Sequence, residues 1–572
     1  MIDLVIRGGT IVDGNGGTPF VADLAVSDGR ITVIGEVAAR GKEEIDAQGL
    51  IVTPGFVDIH THYDGQVTWS DRLAPSSSHG VTTVVIGNCG VGFAPCRPGD
   101  RDALINVMEG VEDIPEAVMA KGLPWNWESF PDFLDALDAR QWDIDVAAYV
   151  PHSPIRVYAM GQRGLDREPA TAEDLERMAS LVTEGIEAGA VGFATSRTMM
   201  HRTGDGEHIP SFHAASDELG AIAAAVGRTG RGVLQMIPNL DSADYDLDVG
   251  LLMRMAKESM LPVTYSLAQW GGDRTGWKRT MDLMRGYNEA HGTRLKAQVF
   301  PRPMGVVCGL ETSFNPFSGC PAYAPLAALP LADRVAALRD PEMRAKLLAE
   351  EPDEAALEGM RALMRNFEGI YPLGSAPDYE PGQHRSVAAL AEAKGIAPIE
   401  MAYDLLLEDE GHALLFAPFS NYCDGNLDAA LEMMRDTESV IGLGDGGAHY
   451  GLISDSSYPT TLLAHWTRDR DGERVSLPWA IKALSADNAD FLGLADRGRI
   501  AVGKKADINI IDHAGLQLHR PHIVYDLPGG GRRLVQDADG YRATIVSGAI
   551  IQRDGKPTGL RPGRLVRGGG SS

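Results

Sequence analysis

No stretch of about eighteen consecutive apolar residues occurs in this 572-residue chain, and its first residues, Met1-Ile2-Asp3-Leu4-Val5, lack the basic segment and long apolar core of a secretion leader. The expectation is a cytoplasmic protein that does not enter a membrane. Cysteine is scarce: Cys89, Cys96, Cys308, Cys320 and Cys423 are odd in number and not closely paired, which excludes a disulfide scaffold and reads as reduced thiols. Positive charge is also short, 52 Lys and Arg against 79 Asp and Glu, and a formal charge of -27 repels nucleic acid and anionic lipid. There is no internal repeat, and no Lys-Ser or Lys-Thr follows Gly87-Asn88-Cys89-Gly90 to make it a phosphate loop. What remains is a large globular protein acting on a small molecule, with one catalytic unit and a satellite domain. No surface stripe specifies an oligomer, so a homo-oligomer is left open.

The chain ends alternate in the manner of strands, with Asp28-Gly29 as a hairpin turn, and residues 506–511 and 543–552 repeat the style near the far end. The simplest arrangement packs residues 1–52 and 491–566 into one small β-sandwich, with 567–572 as a flexible tail. Between them, short runs rich in Val, Ile and Ala recur at 52–59, 82–87, 145–150, 190–196, 232–237, 262–267, 294–300 and 440–445. Helical patterns separate several of them. The clearest is 171–188, with Thr171 and Asp174 as a capping pair and Leu175, Met178, Leu181, Val182 and Ile186 on one face. Eight buried strands alternating with helices predict an α/β fold, a (β/α)8 TIM-type barrel over 53–490, whose active site lies at the carboxyl ends of the strands. The stretch 302–439 is too long for a connection and reads as an insertion, with helical segments near 331–348 and 354–366.

At the end of the first run stand His60 and His62, which an extended strand aims to the same side. The eighth run ends in Asp445. Imidazoles and a carboxylate converging from different strand ends suit a zinc-like ion with an open position for water.

Taken together, residues 52–62 (Val-Thr-Pro-Gly-Phe-Val-Asp-Ile-His-Thr-His), 87–95 (Gly-Asn-Cys-Gly-Val-Gly-Phe-Ala-Pro), 152–156 (His-Ser-Pro-Ile-Arg), 442–446 (Gly-Leu-Gly-Asp-Gly) and 496–507 (Asp-Arg-Gly-Arg-Ile-Ala-Val-Gly-Lys-Lys-Ala-Asp) resemble the amidohydrolase superfamily, specifically its D-aminoacylase-like branch of N-acyl-D-amino-acid deacylases. The resemblance spans almost the whole chain. It implies a hydrolase of C–N bonds other than peptide bonds, cleaving the amide of an N-acylated, N-acyl-D-amino-acid-like or cyclic small molecule. It also implies that His60 and His62 bind the first metal and that Cys89 takes the bridging position. Asp445 is then both ligand and catalytic base. The branch supplies further metal histidines at the ends of strands five and six, and here Val233-Leu234-Gln235-Met236-Ile237-Pro238 and Thr264-Tyr265-Ser266-Leu267-Ala268-Gln269 contain none. A single divalent ion, zinc by its donor chemistry, is therefore expected rather than two. The branch also places a basic residue soon after the strand-eight aspartate, where this chain has His449-Tyr450-Gly451-Leu452-Ile453 and no arginine.

Candidates to touch substrate are His152, Arg197, Tyr265, Arg302 and His449, each equally readable as a structural or solvated residue. With no second metal, Tyr265 or Arg197 would donate to the developing oxyanion. Two other readings stay open: a hydrolase of an ester, lactone or C–C bond on the same barrel, and a scaffold that has lost its metal.

Overall fold

A computed structural model describes residues 1–240, 244–353 and 360–568. Its centre is a parallel eight-stranded sheet, numbered here β1 (Phe56–Asp58), β2 (Val81–Ile86), β3 (Asp145–Pro151), β4 (Gly192–Ser196), β5 (Val233–Ile237), β6 (Pro262–Ser266), β7 (Arg294–Val299) and β8 (Ser439–Ile441), hydrogen-bonded in that order. Each of the eight expected runs supplies one strand. The first run divides at Gly55, so that Ile51–Pro54 belongs to a different sheet. A Cβ at Gly55 would fall 2.2 Å from Thr82 Oγ1, so glycine lets the chain pass this close to β2 as it changes sheet.

The ring closes beyond the strand ends. Asp445 N donates to His60 O at 3.1 Å and His62 N to Gly446 O at 2.8 Å, joining β1 to β8. Lower down, the Asn488 carboxamide spans the same seam, donating to Val57 O at 2.8 Å and Ile441 O at 2.9 Å. Outside the sheet, the Ala172–Ala188 helix has the expected reciprocal cap between Thr171 and Asp174 and buries Met178, Val182 and Ile186 against the barrel.

At the amino ends of the strands, Arg497 pairs with Asp145 at 2.5 Å and bonds Thr83 Oγ1 at 2.8 Å, while Lys505 reaches the same carboxylate at 2.6 Å. The segment 496–507 thus plugs the barrel floor, opposite His60. Strands from both chain ends form one continuous nine-stranded sheet, in which Ile51–Pro54 lies between Leu4–Ile11 and Ile508–Ile511. Its core joins Leu4, Ile6, Leu24 and Val52 to Ile508, Ile510 and Ile545. Arg567 and Gly568 are bonded to Asp135 and Gly189, and the remaining tail, 569–572, lies outside the described residues.

The long stretch after β7 carries a three-stranded sheet, Met304–Cys308, Leu414–Ser420 and Tyr371–Leu373, with its own apolar core around Val306, Phe317, Tyr403 and Leu415. Of its expected helices, Leu331–Leu338 and Pro341–Ala349 form the first and Met360–Met364 part of the second, whose residues 354–359 lie outside the described set. Glu380 ties this unit to the barrel layer. Its carboxylate takes Arg470 Nη2 at 2.8 Å and Nε at 2.9 Å, His465 Nε2 at 2.8 Å and Leu427 N at 2.9 Å. Burial alone would raise its pKa, but these donors outweigh burial and hold it at about 2. A carboxyl depressed in the folded state contributes stability above its unfolded value, lost as pH falls through the folded one. Glu380 should therefore contribute about 3 kcal/mol that disappears between roughly pH 4.5 and 2. Urea melts across that window should show a flatter pH dependence in Glu380→Gln than in the parent, and parallel curves would refute the assignment.

Candidate metal centre and its relatives

The loop after β1 and the turn after β2 bring three donors together at the top of the barrel. Cys89 Sγ lies 3.3 Å from His60 Nε2 and 3.5 Å from His62 Nε2. From β8, Asp445 Oδ1 comes within 3.4 Å of His60 Nε2 and 3.7 Å of His62 Nε2. A tetrahedral zinc ion with bonds of about 2.0–2.3 Å requires its ligands to stand about 3.3–3.7 Å apart, so these donors have the spacing such an ion needs. The backbone is bent to achieve it: Cys89 and Asp445 adopt positive φ, 58° and 45°, an unfavourable conformation for residues with a Cβ. Gly87 and Gly90 flank the first of these bends, and a Cβ at Gly87 would meet Tyr149 O at 2.4 Å.

The imidazoles are oriented by neighbours. Gln298 Oε1 accepts from His60 Nδ1 at 2.5 Å, which leaves the His60 Nε2 lone pair facing the cluster. Glu112 Oε1 stands 3.2 Å from His62 Nδ1, and its other oxygen 3.6 Å from His449 Nε2. Burial lowers the pKa of His60 to about 4 and holds that of His62 well below its ordinary value, keeping both in the neutral form that ligates. Burial, followed by the nearby Glu112, Asp445 and Asp64 carboxylates, pushes the Cys89 thiol up. A divalent cation at the centre of the cluster would reverse that balance. His60, His62 and Glu112 are 1% exposed, but the Asp445 and His449 side chains are 20% and 19% exposed, so solvent reaches the cluster from their side.

Of the remaining candidates, His449 alone borders the cluster. His152 uses both ring nitrogens, on Thr195 Oγ1 and Glu218 Oε1, each at 2.8 Å. Arg197 is bound to Asp248 at 2.7 Å and to the carbonyls of Phe212 and Ala214. Arg302 is bound to Asp455 at 2.6 Å and Ser457 at 2.9 Å and stacks over Tyr379. These three are buried and already occupied. Tyr265 alternates with Thr264 and Ser266 and packs in the core between sheet and helices, so its phenol does not face the cluster. Gln235 does: its Oε1 accepts from Cys89 N at 3.0 Å, while its Nε2 is buried without a partner. The other four cysteines are free and stand outside the cluster.

Three residues at the site, Glu112, Gln298 and His201, are not among the candidates that the sequence offers. Glu112 continues the buried stripe of Leu104, Met108 and Val111 on the Arg101–Glu112 helix, an acid where an apolar residue is due. Gln298 is a buried polar residue in the last turn-facing position of β7. His201 bonds Ser196 Oγ at 2.9 Å and sits close enough to His60 and His449 for their charges to affect it.

Residues 43–552 match the family described as the amidohydrolase family. The chain belongs to the amidohydrolase family. Over 99% of its length and 96% of the relative's, it is 26% identical to N-acyl-D-glutamate deacylase of Alcaligenes xylosoxydans xylosoxydans. Its fold is similar to the zinc and phosphonate complex of N-acyl-D-glutamate deacylase from Bordetella bronchiseptica, with a TM-score of 0.65, 23% identity and 99% of each chain covered. It is likewise similar to a D-aminoacylase variant in complex with copper chloride, with a TM-score of 0.66, 22% identity and coverage of 99% of this chain and 100% of that one. This amidohydrolase is therefore of the D-aminoacylase-like branch, a hydrolase of amide C–N bonds outside peptides. Among the described residues, no helix of the amidohydrolase is long and apolar enough to cross a membrane.

Proposed function

We propose that the protein hydrolyses the amide of an N-acylated or cyclic small molecule, an N-acyl-D-amino-acid-like amide in its general form, with one divalent ion held by His60, His62, Cys89 and Asp445. The observation that carries this is the close grouping of His60, His62 and Cys89, with the Asp445 carboxylate within 3.7 Å of both imidazoles on the side open to solvent. A zinc ion there supplies Lewis acidity, easing deprotonation of water and polarising the carbonyl. Asp445 is the base: it takes a proton from the attacking water as the C–O bond forms and returns it to nitrogen as the C–N bond breaks. Gln235 Nε2, buried and unpartnered, donates to the carbonyl oxygen as negative charge grows there, in place of Tyr265 or Arg197. Support for one ion rather than two comes from β5 and β6, where Gln235 and Thr264 occupy paired inward positions and Gln235 Oε1 is already committed to Cys89 N.

The test is acetate release from a panel of N-acetylated amines, run with elemental analysis of the same sample before and after chelation. About one zinc per chain, activity lost on chelation and regained with zinc is the expected result. Full activity in metal-free protein would defeat the reading.

A further inference from the structure

The helix Arg101–Glu112 ends beside the cluster in two consecutive acids that face different ways. Glu112 turns its carboxylate toward His62 and His449, and its carbonyl accepts from His449 N. Asp113, at φ 51°, bonds outward instead: Ser313 Oγ and Gly451 N each donate to its carboxylate at 3.0 Å. Ser313 belongs to the insertion, and its own N donates to Gly451 O at 2.8 Å, so the helix end, the insertion and the loop after β8 are laced together at one point. Glycine at 451 makes this possible, since a Cβ there would collide with Ser313 Oγ.

The residue held by this lacing is His449. It too has positive φ, 51°, an unfavourable state for a residue with a Cβ that persists only where the surroundings fix it. On one side its N is fixed to Glu112; on the other its carbonyl accepts from Leu452 N at 2.9 Å and Ile453 N at 3.1 Å, around the Gly451 that Asp113 holds. This strained turn sets the imidazole on the open side of the cluster, beside Asp445 and within electrostatic reach of it and of His60. From this arrangement we infer that His449 contacts the substrate next to Asp445, and that Asp113 is a positioning residue acting through His449. The inference rests on the amide-hydrolase reading and adds to it a substrate contact and its support. An imidazole so placed hydrogen-bonds a polar atom beside the scissile bond and fixes the substrate against the open side of the cluster.

Kinetics and chemical labelling test it together, with acetate release measured on an N-acetylated amine that the zinc-loaded parent turns over. His449→Ala and Asp113→Ala should each lower kcat/KM by about ten- to a hundredfold, the loss expected when a positioned group is removed or displaced by about 1 Å. Asp113→Asn keeps an oxygen for Gly451 N and Ser313 Oγ and should recover most of that loss. In a His449→Ala background Asp113→Ala should add less than about twofold, because residues that act through one another are not additive. Losses that multiply independently, or an unchanged kcat/KM in His449→Ala, would overturn the inference. The second readout needs neither turnover nor metal. In the zinc-free protein, diethyl pyrocarbonate should acylate the His449 imidazole several-fold faster in Asp113→Ala than in the parent or in Asp113→Asn, scored by peptide mass, and equal rates would overturn the hold of Asp113 on His449. Acetate release from no N-acetylated amine by the zinc-loaded parent would defeat the amide-hydrolase reading itself, and the substrate contact with it.

Discussion

Asp445→Asn should lower kcat by about 10²–10⁴, the range for removal of a general base, with the protein still folded and still able to take up zinc. The substitution is chosen for its backbone. Position 445 has φ 45°, and asparagine tolerates that left-handed conformation as aspartate does, so the variant keeps the backbone while removing the carboxylate's proton affinity and its charge toward the ion. The side chain stays on the open side of the cluster, but a carboxamide oxygen cannot take and return a proton. Single-turnover rates, with zinc content measured on the same preparation, separate lost chemistry from lost metal. Unchanged kcat at full zinc occupancy would rule out Asp445 as the base.

The second large effect concerns the ion itself. The double variant His60→Asn, His62→Asn removes two of the proposed ligands, and it should retain no zinc after dialysis and show no turnover above background. Glu112→Gln is the graded comparison. It keeps the shape beside His62 Nδ1 but removes a negative charge, and it should weaken zinc binding by about ten- to a hundredfold in competition with a chromophoric chelator. Unaltered affinity in Glu112→Gln would mean that the carboxylate merely fills space. Zinc retained by the double variant would place the ion elsewhere.

The barrel was legible because its eight strands are buried on both faces and so appear as apolar runs between amphipathic helices. His60, His62, Cys89 and Asp445 were legible because each closes such a run or sits in the turn after one. Glu112 and Gln298 were not, since nothing local shows that a helix after β2 and the end of β7 will face the same two imidazoles. Arg197 and Arg302 misled for the converse reason. Their positions after barrel strands resemble those of substrate-binding residues, and the acids that occupy them, Asp248 and Asp455, are 51 and 153 residues away along the chain. Tyr265 was displaced by the strand's two-residue alternation, which gives the inward places to Thr264 and Ser266.

Ile51–Pro54 pairs with Ile508–Ile511 and runs through Gly55 straight into β1, which ends at Asp58, two residues before His60. During synthesis, about four hundred and fifty residues must therefore emerge between the two imidazoles of the proposed metal site and the strand that fixes the base of their support. Ion capture should come late, after translation has passed residue 511, and shortening the polypeptide before that point would leave the two histidines on an unanchored stalk.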